Sequence, residues 1–243
     1  MGEAKRRQKT GEPAPVKARK NRSPQIIATV IVLLVIVAGI YYATLTPSPD
    51  SDGLPAAPPT AEAFPSEVDQ YGVSLGDPDA PVVVREFADY QCPACARFSS
   101  AAERLKEEYV ETGEVRFVFF DLPLQQHENA MPAAQAARCA GDQDAYWQMH
   151  NKLFDTQDSW NTTDSPVEVF TRYSEQLGLD ARRFRRCLTT DLHKEAVEQS
   201  RRVAMQLRVT STPTVFVDNI PLTQPGWGQL SAVVERELAK AGE

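Results

Sequence analysis

Histidine is scarce in this chain: only His127, His150 and His193 occur in 243 residues, and no two have the spacing of a metal-binding pair. Cysteine is scarce as well, with Cys92, Cys95, Cys139 and Cys187 alone, and neither a second CxxC nor an HxxxH accompanies Cys92-Pro93-Ala94-Cys95. A half zinc site is therefore a poor reading of that motif, and no metal is expected. Basic residues run short beyond the N-terminus. Eight of the 26 Lys and Arg and two of the 33 Asp and Glu fall in the first 25 residues, leaving 18 basic against 31 acidic residues in the remainder. A body that acidic is not built to bind nucleic acid. No internal repeat is present, and the length suits one domain with non-globular ends.

Residues 26–45, Ile26 to Leu45, are twenty residues without a charge, dominated by Ile, Val and Leu. At ~1.5 Å per residue a helix of this length spans about 30 Å, the thickness of a bilayer core. The basic tail 1–25 before it orients the chain with its N-terminus in the cytoplasm and the rest outside. A cleaved signal peptide is the rival, but the run is longer than the usual apolar core and no clear small-x-small site follows. No cysteine follows closely, which excludes a lipoprotein anchor. Residues 46–70, with Pro47, Pro49, Pro55, Pro58, Pro59 and Pro65, read as a Pro-rich extracytoplasmic tether reaching about 75 Å when extended. The four cysteines lie beyond the anchor, in a compartment where disulfides persist.

Over 71–243 the pattern is that of an α/β domain. Val82-Val83-Val84-Arg85-Glu86-Phe87 reads as a buried strand, and Phe98, Ala101, Ala102, Leu105 and Tyr109 recur at helical spacing. The CxxC thus sits at a strand-to-helix junction. Pro93 suits the first helical position, which leaves Cys92 at the cap facing unpaired amides that favour its thiolate. Cys92 is then the attacking sulfur and Cys95, one turn in, the resolving one. Val115–Phe120 is expected as a second strand. Helices follow over Asn129–Ala140, Gln143–Phe154, Ser165–Leu177 with Ser165-Pro166 as cap and first turn, Asp180–Leu188 and Asp191–Leu207. Thr214–Val217 is a third strand, Leu222–Pro225 a turn or strand edge, and Trp227–Lys240 a closing helix.

The run Glu86-Phe87-Ala88-Asp89-Tyr90-Gln91-Cys92-Pro93-Ala94-Cys95 together with Val209-Thr210-Ser211-Thr212-Pro213-Thr214 resembles the DsbA-like thiol-disulfide oxidoreductases of the thioredoxin superfamily. The resemblance covers about 72–241 and implies a thioredoxin-like fold with a helical insertion at about 127–207. It implies a cis Thr212-Pro213 bond packed against the Cys92 sulfur, leaving the Thr212 main chain to pair with an extended substrate. Glu86, six residues before Cys92, occupies the place of the acid beneath the active site in these proteins, where burial would raise its pKa and let it accept the Cys95 proton; a solvated strand-edge glutamate is the rival reading. The active-site dipeptide Pro93-Ala94 lacks the histidine of the strong oxidants, so Cys92 should titrate below a free thiol but less far below it than theirs.

Cys139 and Cys187 both fall in the helical insertion, and a structural disulfide tying its first helix to its fourth is expected, with free thiols or a second redox pair as alternatives. His127 is expected in a loop or capping role, with an approach to the active-site face as the alternative, and His150 as a packed or surface residue. The function implied is a membrane-tethered, extracytoplasmic protein thiol-disulfide oxidoreductase without a cofactor. It would act as an oxidase assisting disulfide formation, exchanging the Cys92–Cys95 disulfide with cysteine-containing secreted or envelope proteins, and be recycled by a quinone-linked membrane partner. A reductase or isomerase, or a copper-binding thioredoxin-like chaperone, are the alternatives.

Overall fold

The computed structural model describes residues 53–57, 60 and 62–242. The basic tail and the apolar run 26–45 lie outside the described residues; among those described, no helix is long and apolar enough to cross a membrane. A five-stranded sheet forms from β1 (Val73–Leu75), β2 (Val82–Ala88), β3 (Val115–Asp121), β4 (Thr214–Val217) and β5 (Ile220–Pro221), in the order β1-β3-β2-β4-β5. β2 and β3 are parallel and the other pairs antiparallel. Parallel neighbours need a crossover, and α1 (Pro93–Leu105), continued by a π-type turn over Lys106–Val110, supplies it.

Between β3 and β4 comes a helical insertion: α2 (Ala130–Gly141), α3 (Tyr146–Asp155), α4 (Pro166–Gln176), α5 (Ala181–Thr189) and α6 (Lys194–Gln206). α7 (Trp227–Ala241) closes the chain, burying Leu230, Val233 and Val234. Each helix falls where its apolar spacing places it, but the caps differ. Ser165 makes no side-chain cap bond, whereas Asp180 Oδ1 accepts from the amides of Arg182 and Arg183 at 2.9 and 3.0 Å.

Alternation along the central strands divides the core in two. Val82, Val84 and Ala88 of β2 and Val115, Phe117 and Phe119 of β3 belong to the larger core, shared with α1, α7 and the insertion. Phe87, Val118 and Phe120 face the other way, against Val203 and Ala204 of α6. This parity matters for the site. Arg85 and Glu86, adjacent in sequence, point to opposite faces, and Glu86 shares the face of Val84 and Ala88, under α1.

The linker expected over 46–70 ends earlier than composition implies. Leu54 and Ala57 pack on the larger core, and Ser66–Tyr71 forms a 3-10 helix. The Arg85 guanidinium lies over the Phe64 ring, 4.1 Å from the ring centroid, and Asp69 accepts from Arg85 Nε at 2.7 Å and Nη2 at 2.9 Å and also from Arg116. The reason is long-range: the two cations that fix Asp69 lie 16 and 47 residues away, where a local reading of composition does not reach.

Candidate active site

Cys92 is the N-cap of α1, with extended backbone (φ −77°, ψ 121°), and Pro93 is the first helical residue, its missing amide being one the helix leaves unpaired. Both active-site cysteines are in the thiol form here. Cys95 is wholly buried and Cys92 is 8% exposed, so the one sulfur that a partner can reach is Cys92. The Thr212-Pro213 peptide is cis, and Cys92 Sγ lies 3.6 Å from the Thr212 carbonyl oxygen. Residues 120 positions apart therefore meet across the site. Ala94, Arg97, Phe98, Pro213 and Pro225 line a shallow groove of about 230 Å³ beside the cysteines.

The surroundings push the two thiols apart in acidity. The Cys92 pKa is lowered from 9.0 to about 5: the largest cause is the hydrogen bond from the Cys95 thiol, and burial opposes it. The Thr212 side chain and the backbone amides of Cys95 and Ala94 lower it further. The Thr212 hydroxyl is buried with no other partner, which leaves it free to donate to a Cys92 thiolate. No imidazole contributes, as the Pro-Ala dipeptide requires. Cys95 shifts the other way, its pKa raised by burial first, then by its bond to Cys92 and by the charge of Glu86. One sulfur is poised as nucleophile and leaving group, the other as a thiol that gives up its proton only with help.

Glu86 is 1% exposed in the central strand β2, between Phe119 of β3 and Val215 of β4. The solvated strand-edge reading therefore fails, because the sheet has a neighbour on each side of β2. Burial raises the Glu86 pKa to about 8, with Lys106 acting against it, and Oε1 has no hydrogen-bond partner. A carboxyl that holds its proton near neutrality, within electrostatic reach of Cys95, can take and return a proton.

The loop carrying Cys92 is held by groups that sequence patterns did not single out. Gln157, on a short 3-10 turn of the insertion, donates from Nε2 to the carbonyls of Tyr90 at 2.7 Å and Cys92 at 3.0 Å. Asp89 accepts from the amides of Gln91 at 2.7 Å and Leu124 at 2.8 Å, and its Oδ2 lies 2.8 Å from His127 Nδ1. His127 thus packs beside the site but is engaged by Asp89. His150 is buried, its Nδ1 2.8 Å from the Tyr90 hydroxyl, and burial lowers its pKa well below the ordinary value. Cys139 and Cys187 are joined in a disulfide between α2 and α5, Cα atoms 5.9 Å apart, in the insertion.

A dithiol at a helix N-terminus, faced by a cis-proline loop and backed by a buried carboxyl on a central strand, defines a protein thiol-disulfide oxidoreductase of thioredoxin fold. Comparison with known proteins agrees. Residues 69–236 match the family model described as thioredoxin, and the chain belongs to that family, on its DsbA-like side. It is 29% identical over 216 residues to a probable disulfide bond formation protein D of Bacillus anthracis, covering 86% of this chain and 93% of that one. Among solved structures, oxidised BdbD from Bacillus subtilis superposes with a TM-score of 0.63 at 23% identity, covering 77% of this chain and 97% of that one. Wolbachia pipientis alpha-DsbA1 gives the same score and identity over 70% of this chain and 92% of that one.

Proposed function

We propose that the protein is a membrane-tethered, extracytoplasmic oxidase that donates the Cys92–Cys95 disulfide to cysteines of secreted or envelope proteins. The observation that carries this reading is the stabilisation of the Cys92 thiolate by the Cys95 thiol, Thr212 and the first-turn amides. Whatever stabilises the reduced enzyme makes its disulfide the more readily given away. A substrate thiolate attacks Cys92 Sγ, the Cys92–Cys95 bond breaks, and Cys95 leaves as a thiolate protonated through Glu86. The substrate's second thiolate then attacks its own sulfur in the mixed disulfide, and Cys92 departs as the stabilised thiolate. Two electrons pass from the substrate to the enzyme; of the two protons released as the substrate thiols ionise, one restores Glu86, which has protonated Cys95, and the other goes to solvent while Cys92 stays a thiolate. During the exchange the Thr212 main chain, beside the Cys92 sulfur, pairs with the extended substrate segment.

The tether in this reading is the apolar run 26–45, with the tail 1–25 in the cytoplasm, and the reduced enzyme is reoxidised by a quinone-linked membrane partner. The name of the Bacillus anthracis relative supports the direction of transfer. Alkylation of cysteines in intact cells tests it: an oxidase is found mainly with Cys92 and Cys95 joined. A pool mainly in the dithiol form would assign the protein to the reductases or isomerases instead.

A further inference from the structure

The second cysteine pair has companions that a purely structural disulfide does not need. Cys139 Sγ, Cys187 Sγ and a ring nitrogen of His193 all lie within 4.8 Å of one another. Asp142 joins them: its Oδ2 is 2.9 Å from His193 Nε2 and 3.6 Å from Cys187 Sγ. The four side chains come from the end of α2, from α5 and from the residue capping α6. They are also reachable, because the side chains of His193 and Asp142 are 23% and 31% exposed while both sulfurs are buried behind them.

From this convergence we propose a redox-gated zinc site: when the Cys139–Cys187 disulfide is opened, the two thiolates, His193 and Asp142 bind one Zn²⁺. The opening is a thiol-disulfide exchange with a dithiol reductant. Two electrons and two protons pass to the Cys139 and Cys187 sulfurs, and the reductant becomes a disulfide. Zinc then displaces both thiol protons.

Tetrahedral coordination with Zn–S bonds of about 2.3 Å places two thiolate sulfurs about 3.8 Å apart. Rotation about the two cysteine side chains can provide that separation while α2 and α5 stay in place. Two thiolates and one carboxylate around Zn²⁺ leave a net charge of −1. Arg183, whose Nη2 donates to the Asp142 carbonyl at 2.7 Å, stands beside it as the compensating cation. Oxidised, the pair is a covalent staple between α2 and α5; reduced, the metal takes over the same connection and shields the thiols.

The test uses the full chain carrying Cys92→Ser and Cys95→Ser, so that only the second pair can bind metal. A phosphine reductant opens the disulfide, since dithiols themselves chelate zinc, and Zn²⁺ binding is measured against a chromogenic chelator with circular dichroism followed in parallel. One Zn²⁺ per reduced chain and none per oxidised chain is expected. Co²⁺ in its place should give thiolate charge-transfer absorption and the intense visible bands of a tetrahedral site. His193→Ala and Asp142→Ala should each weaken binding about tenfold or more. Absence of zinc uptake by the reduced chain would overturn the proposal, and so would uptake unchanged by Cys139→Ser or with equal affinity in either ligand variant. A reduced chain that unfolds and is not refolded by zinc would overturn it as well.

Discussion

The two cysteine pairs share a chemistry and differ in everything around it. Cys92 and Cys95 are three residues apart on the first turn of α1; Cys139 and Cys187 are separated by 48 residues and bridge two helices of the insertion. In the first pair Cys92, 8% exposed, has its thiolate held by a neighbouring thiol, a hydroxyl and amides, and a buried carboxyl stands behind the pair. The second pair is buried between helices and already joined. Reactivity is therefore assigned by surroundings, not by residue type: the site able to exchange disulfides is the one where one sulfur is held as a thiolate and the other is kept as a thiol beside a buried carboxyl.

The sharpest way to break that contrast is to disable each pair in turn. Cys92→Ser should abolish thiol-disulfide exchange in an insulin-reduction assay. Cys139→Ser with Cys187→Ser should leave the exchange chemistry in place while lowering stability by up to about 4 kcal/mol, the chain-entropy value for a loop of this size, read from denaturant unfolding. Substantial loss of exchange at temperatures where that variant is still folded would make the second pair part of a relay.

Glu86→Gln comes next in size. Reoxidation of the reduced enzyme should slow about 10²-fold in stopped-flow measurements if the carboxyl moves the Cys95 proton, and an unchanged rate would remove Glu86 from that role. Stability carries an independent sign. The folded carboxyl titrates near 8 against an ordinary 4.5, so between those values the unfolded chain has lost a proton that the folded chain keeps, and stability falls as pH rises through that window. Glu86→Gln should flatten this slope, visible in melting temperatures between pH 5 and 8.

Thr212→Val is the smallest change and tests the finest part of the comparison. Without its hydroxyl the Cys92 thiolate loses one donor, and the midpoint of thiolate absorbance should rise by about one unit from its position near 5. An unshifted midpoint would leave the Cys95 thiol and the amides as the whole of the stabilisation.

What the sequence revealed follows the range of its interactions. β2, α1, β3, β4 and the insertion helices announce themselves through apolar periodicity, which is local. β1 did not, because three residues with only partial burial carry too little pattern to separate from a loop. The cysteine motif, Glu86 and the Thr212-Pro213 segment were legible as a set through resemblance. Gln157, whose amide holds the Tyr90 and Cys92 carbonyls from 67 and 65 residues away, was not, and neither was the grip of Asp89 on His127 over 38 residues. Side chains of that kind look like ordinary surface polar residues until the fold closes. The Thr212 hydroxyl escaped notice for a related reason: its segment was read for its main chain, and what singles out the side chain is burial.

Arg85 and Glu86 are consecutive residues on opposite faces of β2. On the Arg85 side, the chain arriving from the N-terminus is fastened by Asp69 and Phe64. Those contacts join the segment before β1 to β2 through Arg85 and to β3 through Arg116. The same segment also reaches the other face, where Leu54 and Ala57 pack on the core that holds Cys92 and Cys95 and the Pro55 carbonyl accepts from Arg236 of α7, so the incoming chain braces the sheet from both sides.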